Sequence, residues 1–245
     1  MIDLTAIIKN TNAYRIMQSD KQKNSLSHAY LILSQDKDML KEYLKIFVSL
    51  ICCQSEQPCL ICRNCGLIQG ECHPDVIFYP QDKGKDNKKA KEKADRAVTT
   101  EDIVSLIEES YIRPIESDKK VFVILNAQDM NAGAQNKLLK TLEEPPANVH
   151  IILGATSEYS LLPTIRSRVK RLEITPFSND VIINALSGEC QDKQKLQIAV
   201  SCGDGTIGKA LSLYGDKELQ NLTQMIVDTL VNMNSSKDVL KYSTK

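Results

Sequence analysis

The sequence has no excess of charge of either sign: 31 Lys and Arg balance 31 Asp and Glu over 245 residues. No overall field draws it to nucleic acid or to a membrane, so any such contact must come from a local patch. It also lacks long apolar runs, and none approaches the ~20 residues that a bilayer span requires. The opening stretch, "MIDLTAIIKNTNAYRIMQSDK", lacks the continuous apolar core of a secretory signal. The expectation is a cytoplasmic chain with no membrane contact. Hydrophobic residues still make up 42% of the sequence, enough to bury a core. The length suits one large domain or two smaller ones.

Five short apolar runs read as strands: "AYLIL" (29–33), "DVIFY" (75–79), "VFVIL" (121–125), "VHIILGA" (149–155) and "RLEIT" (171–175). The expectation is that they are apolar on both faces rather than alternating, as strands covered on both sides are. Helical stripes lie between them. One runs Leu40, Tyr43, Leu44, Phe47, Val48, Ile51; a second is Ile103, Leu106, Ile107 after a candidate cap at Thr100; a third is Ala134, Leu138, Leu139, Leu142. Alternating strand and helix predicts an open, mostly parallel α/β sheet. From about Pro176 three short helical patterns follow without a strand, with Ser178 and Asp180 as candidate caps. The reading is an α/β domain over 1–175, a small three-helix domain over 176–214, and over 215–245 the opening of a helical unit too short to build its own core. The segment Asp82–Arg96 holds seven basic and four acidic residues and no large apolar one. It reads as a solvated loop, with a nucleic-acid contact as the alternative.

Six of the eight cysteines fall between Cys52 and Cys72. Cys59, Cys62 and Cys65 are spaced C-x2-C-x2-C, and Cys53 precedes them. Short C-x2-C turns present two thiolates to one ion, and zinc takes four such ligands in a tetrahedron. Four protein ligands leave no position for water, so a zinc ion here would be structural. By spacing alone Cys52 can replace Cys53, with Cys72 and His73 in reserve. Free thiols are the bland alternative. An iron–sulfur cluster fits less well, because the C-x2-C-x2-C-x3-C-P run is not present.

A nucleotide-binding sheet of this kind would carry G-x-x-x-x-G-K-[ST] after its first strand. Here "AYLIL" runs into "SQDKDMLKEYL", which has no Gly and flanks Lys37 with Asp36 and Asp38. The third strand should end in an acid that holds Mg²⁺. It ends instead at Asn126 and Ala127. An arginine-rich segment, "LLPTIRSRVKR", follows the fourth strand and carries Arg166, Arg168 and Arg171. An arginine of this kind can stabilise charge on another subunit's γ-phosphate, although a surface arginine more often pairs with an acid.

"SHAYLIL", the cysteine segment, "HPD", "KKVFVILNAQDMNAGAQNKLLKTLEEPP", "LLPTIRSRV" and "GDGTIGKAL" occur in this order between about Leu26 and Leu213. Together they resemble the delta-prime clamp-loader family of bacterial DNA polymerase III, within the AAA+ class. The resemblance implies a RecA-like five-stranded sheet in the order 5-1-4-3-2, with an inserted zinc module at about 52–72, then a helical lid and a truncated collar. It implies Cys53, Cys59, Cys62 and Cys65 as the zinc ligands and no bound ATP. Ser167 and Arg168 match the first two positions of the family's Ser-Arg-Cys motif, which makes Arg168 the arginine acting in trans; Val169 departs at the third. Thr156 matches a sensor position, and Gly208 stands where ATP-binding relatives carry a sensing Arg. The helix ending in "LEEPP" is implied to lie at a subunit interface. Pro145, which lacks an N–H and obstructs helix continuation, accounts for its sharp stop. Implied partners are the ATPase subunits and a delta-type subunit, with the sliding clamp and primer-template DNA in the assembled complex. An active clamp-loader ATPase and a zinc-dependent DNA-binding module are the rival readings.

Overall fold

A computed structural model of the chain describes residues 4–81 and 96–216. The chain divides between Pro176 and Phe177 into two compact units. The first unit is built on a five-stranded sheet, β1 (Ala29–Ser34), β2 (Val76–Tyr79), β3 (Lys120–Ile124), β4 (Val149–Ala155) and β5 (Lys170–Ile174). The strand order is β2-β3-β4-β1-β5 and every pairing is parallel. Read from the other edge this is 5-1-4-3-2, the order that the family resemblance implies. The register sets Leu31 of β1 opposite Leu153 of β4 on one side and Arg171 of β5 on the other.

The three inner strands β1, β3 and β4 are buried at every residue, which explains their unbroken apolar runs. β5 corrects the expectation of strands apolar on both faces. Its residues alternate, with Leu172 and Ile174 buried and Arg171 and Glu173 exposed. It lies at a sheet edge, where one face meets solvent.

Seven helices surround this sheet in the described residues: α1 (Leu4–Lys9), α2 (Asn12–Gln22), α3 (Leu40–Cys52), α4 (Arg63–Gln69), α5 (Thr100–Ser110), α6 (Ala132–Glu143) and α7 (Pro163–Arg166). The stripe on α3 packs hard on β4: a Cβ on Gly154 would fall 2.5 Å from Leu44 Cδ1, so any larger residue there would force the Leu44 side chain to move. The cap of α5 is Thr99, one residue before the expected Thr100. Thr99 and Asp102 form a reciprocal capping box. Arg96 grips the same Asp102 carboxylate at 2.6 and 2.8 Å. The one described residue of the Lys-rich segment is thus spent on an internal acid; residues 82–95 lie outside the described residues. On the other sheet face, Ile103 and Leu106 of α5 and Leu138 and Leu142 of α6 join Phe122 and Ile151 in one apolar cluster. Each such side chain contributes about 1.5–3 kcal/mol by leaving water.

The second unit holds three described helices, α8 (Asn179–Leu186), α9 (Lys193–Ser201) and α10 (Ile207–Gly215). Ser178 takes the cap position of α8 without a side-chain bond, and Asp180 sits inside the first turn. Asp192 does cap, accepting from the N–H groups of Gln194 and Lys195 at the start of α9. The expected collar segment beyond residue 216 lies outside the described residues. Among the described residues no helix is long and apolar enough to cross a membrane.

Candidate functional sites: a four-cysteine cluster, a carboxylate at a helix start and an arginine loop

Helix α3 delivers its last turn to the cysteine segment. Cys53 caps that helix in extended conformation, and the chain then leaves it. Cys59 opens a tight knuckle in which Leu60 takes a left-handed φ of 60°. The knuckle turns the N–H of Cys62 onto the sulfur of Cys59 at 3.3 Å. Cys62 in turn caps α4, and its sulfur receives the N–H of Cys65 at 3.5 Å. The four sulfurs of Cys53, Cys59, Cys62 and Cys65 lie within 4.8 Å of one another. Cys53 Sγ is 3.6 Å from Cys59 Sγ and 3.9 Å from Cys62 Sγ. A tetrahedron with metal–sulfur bonds of about 2.3 Å has sulfur–sulfur edges of about 3.8 Å, so the donor set fits a four-thiolate ion.

The surroundings favour thiolates at two of the positions. N–H groups of Ile61 and Cys62 aimed at Cys59 bring its pKa down to about 6. Burial pushes Cys53 up, but N–H donors from Cys59 and Ser55 outweigh it and the net shift is downward. Burial drives Cys65 the other way. The ammonium of Lys21 stands nearby, donating to the carbonyls of Cys53 and Ser55 at 2.6 Å each. It offsets part of the negative charge that four thiolates bring.

Of the spacing alternatives, the sulfur of Cys53 and not that of Cys52 groups with the other three. Cys52 is buried away from the cluster, and burial pushes its pKa up to about 12. Cys72 is exposed, with its thiol on the Leu67 carbonyl. His73 is buried and accepts the N–H of Asp75 at Nδ1. Asp75, the last residue of "HPD", was not singled out from the sequence. Its carboxylate accepts three N–H groups, from Ile115, Glu116 and Ser117, at 2.7 Å each. Glu116 pairs with Arg63 of α4 at 2.6 Å, so the cysteine module is moored to the strap before β3.

The turn from β1 to α3 is where a phosphate loop would lie. Here Asp36 is buried, and its carboxylate accepts the hydroxyl of Tyr43 at 2.8 Å and the N–H of Met39 at 3.3 Å. Burial, and then the Asp36 charge, hold the Tyr43 phenol far above its ordinary pKa. The chain's own anion thus stands at the start of α3. At the end of β3, Asn126 adopts a left-handed φ of 50°, which Asn tolerates well. The following turn carries Gln128, whose side-chain oxygen accepts the N–H of Thr156 at 3.2 Å. Glu158 and Glu173 both hold Arg171, at 3.0 and 2.8 Å, in the cleft beside Thr156.

The arginine segment is fastened to α6 at two points. Near the start of α6, buried Gln135 donates to the carbonyls of Met130 and Ser160 and accepts the N–H of Leu162 at 2.7 Å. At the end of α6, Glu143 meets Arg168 Nη2 at 2.7 Å. Arg168 Nη1 also donates to the Thr164 carbonyl at 3.0 Å and to Ser167 Oγ at 3.3 Å. Arg166 is exposed. Val169, the departure from the motif, is a buried member of the apolar cluster, a place that asks only for a small apolar side chain. Gly208 is buried in α10 of the second unit.

A parallel sheet in this order, followed by a three-helix unit, is the AAA+ architecture. A gamma-subunit-related DNA polymerase III protein from Thermotoga maritima shares the fold, with a TM-score of 0.51 at 20% identity over 90% of this chain and 67% of that one. A family model described as "DNA polymerase III, delta subunit" matches residues 9–178, and the chain belongs to that family. The delta-prime subunit of Bacillus subtilis DNA polymerase III is 33% identical over 174 residues, 70% of this chain and 49% of that one. The Escherichia coli delta-prime subunit is 33% identical over 162 residues, 66% and 46% of the two chains. The Bacillus subtilis tau subunit is 26% identical over 216 residues, 84% and 36%. The chain spans about half the length of these delta-prime relatives.

Proposed function

We propose that this chain is a non-catalytic clamp-loader subunit, which binds no ATP and lends Arg168 to an ATP site on a neighbouring subunit. The observation that carries the reading is Asp36. A carboxylate already sits where an ATP-binding relative would present N–H groups to a phosphate. At about 4 Å and an effective dielectric near 20, it opposes each added negative charge by roughly 4 kcal/mol. That is about a thousandfold in affinity. The absence of a phosphate-loop glycine and of an acid after β3 points the same way.

Arg168 is supported by its place in "SRV" and by its partly exposed side chain, which follows α7 and lies beside the end of α6. The role needs a partner with a live ATP site, and we take an ATPase subunit of the clamp loader as that partner; the similarity to a tau subunit supports a shared assembly. A delta-type subunit, the sliding clamp and primer-template DNA complete the proposed assembly, in the cytoplasm. In this reading residues 1–175 are the AAA+ domain and 176–214 its lid. Cys53, Cys59, Cys62 and Cys65 would hold a zinc ion, which supplies cross-linking of the module and no reaction step.

Titration calorimetry of the purified chain with ATP and Mg²⁺ tests the first half of the proposal. No heat of binding is expected; a micromolar affinity would restore the rival reading of an active ATPase.

A further inference from the structure

The acids of "LEEPP" stand in a poor place. Glu143 is the last residue of α6 and Glu144 its C-terminal cap residue. Carbonyls at a helix C-terminus repel negative charge, and cations are the usual occupants. A local rule broken at an exposed position asks for a compensating contact. For Glu143 the contact is Arg168, at 2.7 Å. The guanidinium is then held from two sides, with Glu143 on Nη2 and the Thr164 carbonyl and Ser167 hydroxyl on Nη1. Both partners are partly open to solvent, at 34% and 49% side-chain exposure.

We propose that Glu143 is the positioning residue for Arg168: it fixes the guanidinium on the end of α6 so that the arginine meets a neighbour's phosphate already oriented. The inference deepens the proposed trans role of Arg168 and rests on it. Arginine has high rotamer entropy, and a side chain free to wander loses it at each engagement. Glu143 restricts that freedom beforehand. An ion pair this exposed is worth little to folding, so its loss leaves the fold intact. Gln135 sets where the loop begins, and Glu143 sets where the charged head ends up.

The test is ATP hydrolysis by a clamp loader reconstituted with its ATPase subunits, measured over a range of ATP concentrations. Glu143→Ala is expected to lower the turnover that depends on Arg168 by about two- to fivefold, the range of an exposed ion pair. The KM for ATP should barely move. Glu143→Gln, which keeps an acceptor oxygen for Nη2, should recover part of the loss. In the Arg168→Ala background, Glu143→Ala should add nothing, because it acts only through the arginine. If Arg168→Ala slows the complex while Glu143→Ala leaves it at parent rate or faster, the positioning role is refuted and the trans role stands. Additive losses in the double variant also refute it, since Glu143 then acts by another route. If Arg168→Ala itself has no effect, the trans role fails and the positioning role falls with it.

Discussion

Replacing Asp36 by Ala probes the feature that most separates this chain from an ATP-binding relative. In the parent, the Asp36 carboxylate accepts from Tyr43 Oη at 2.8 Å and from the Met39 N–H at 3.3 Å. Tyr43 is fully buried, so without Asp36 its hydroxyl is left without that acceptor in the core. A stranded buried donor costs about 1–3 kcal/mol. Loss of the acceptor for the Met39 N–H, in the turn that leads into α3, adds about 1 kcal/mol. Asp36→Ala is therefore expected to destabilise by about 2–4 kcal/mol. Asp36→Asn retains one acceptor oxygen for two donors and should fall between variant and parent. Tyr43→Phe removes the donor instead, and the double variant should cost less than the sum of the singles by about 1 kcal/mol or more. Urea midpoints for the four proteins, at equal slope, give these differences. Asp36→Ala should still fail to bind ATP, since removing a charge supplies no cradle of backbone N–H groups. An Asp36→Ala midpoint equal to the parent's, or strict additivity with Tyr43→Phe, would show that the carboxylate is not engaged at the start of α3.

Two further outcomes are expected. The purified chain should carry one zinc per molecule by elemental analysis, and Cys62→Ser should lose it together with the protection of the other cluster thiols; a metal-free parent with all cluster thiols reactive would end the metal reading. Burial raises Tyr14 to about 12 and lifts Tyr30 and Tyr43 above their ordinary 10, so the folded state favours their neutral phenols. That stability is fully present below pH 10 and is lost as pH rises through the folded values, so ultraviolet absorbance should show these phenolates arising only as the chain unfolds; free titration near pH 10 in the folded state would contradict it.

Much of this was legible in the residues, and the misses have physical causes. Buried parallel strands need apolar side chains on both faces, so β1, β3 and β4 stood out as unbroken runs. β5 is different: Arg171 and Glu173 alternate with Leu172 and Ile174, the pattern of an edge strand with one face in solvent, and that alternation was legible in "RLEIT" but was passed over. The N-terminal helices α1 and α2 were not read as elements at all. Their buried anchors are few, Ile8 on a helix of 6 residues and Ala13, Tyr14 and Met17 on one of 11, short stripes that tertiary packing completes. Spacing named a cysteine cluster but left Cys52 against Cys53 open, because the choice turns on where α3 releases the chain. Asp36 was legible only as a charge unfriendly to phosphate; its bond to Tyr43 depends on that ring being folded into the core. The pairing of Glu143 with Arg168 joins two motifs that the sequence displays 25 positions apart, and only the packing of α7 beside α6 brings them together.

The central claim is that Arg168 serves an ATP site on another chain. Its most direct test is single-turnover ATP hydrolysis by the reconstituted clamp loader carrying Arg168→Ala, with Arg166→Ala as the control. Removal of an arginine finger slows its own site by about 10³-fold or more, so the account predicts that one site's share of the burst disappears. The Arg166→Ala complex should keep the parent burst within about twofold, as expected of an exposed arginine outside the ion pair with Glu143. A full burst from the Arg168→Ala complex at saturating ATP would contradict the account and reduce Arg168 to a surface arginine paired with Glu143.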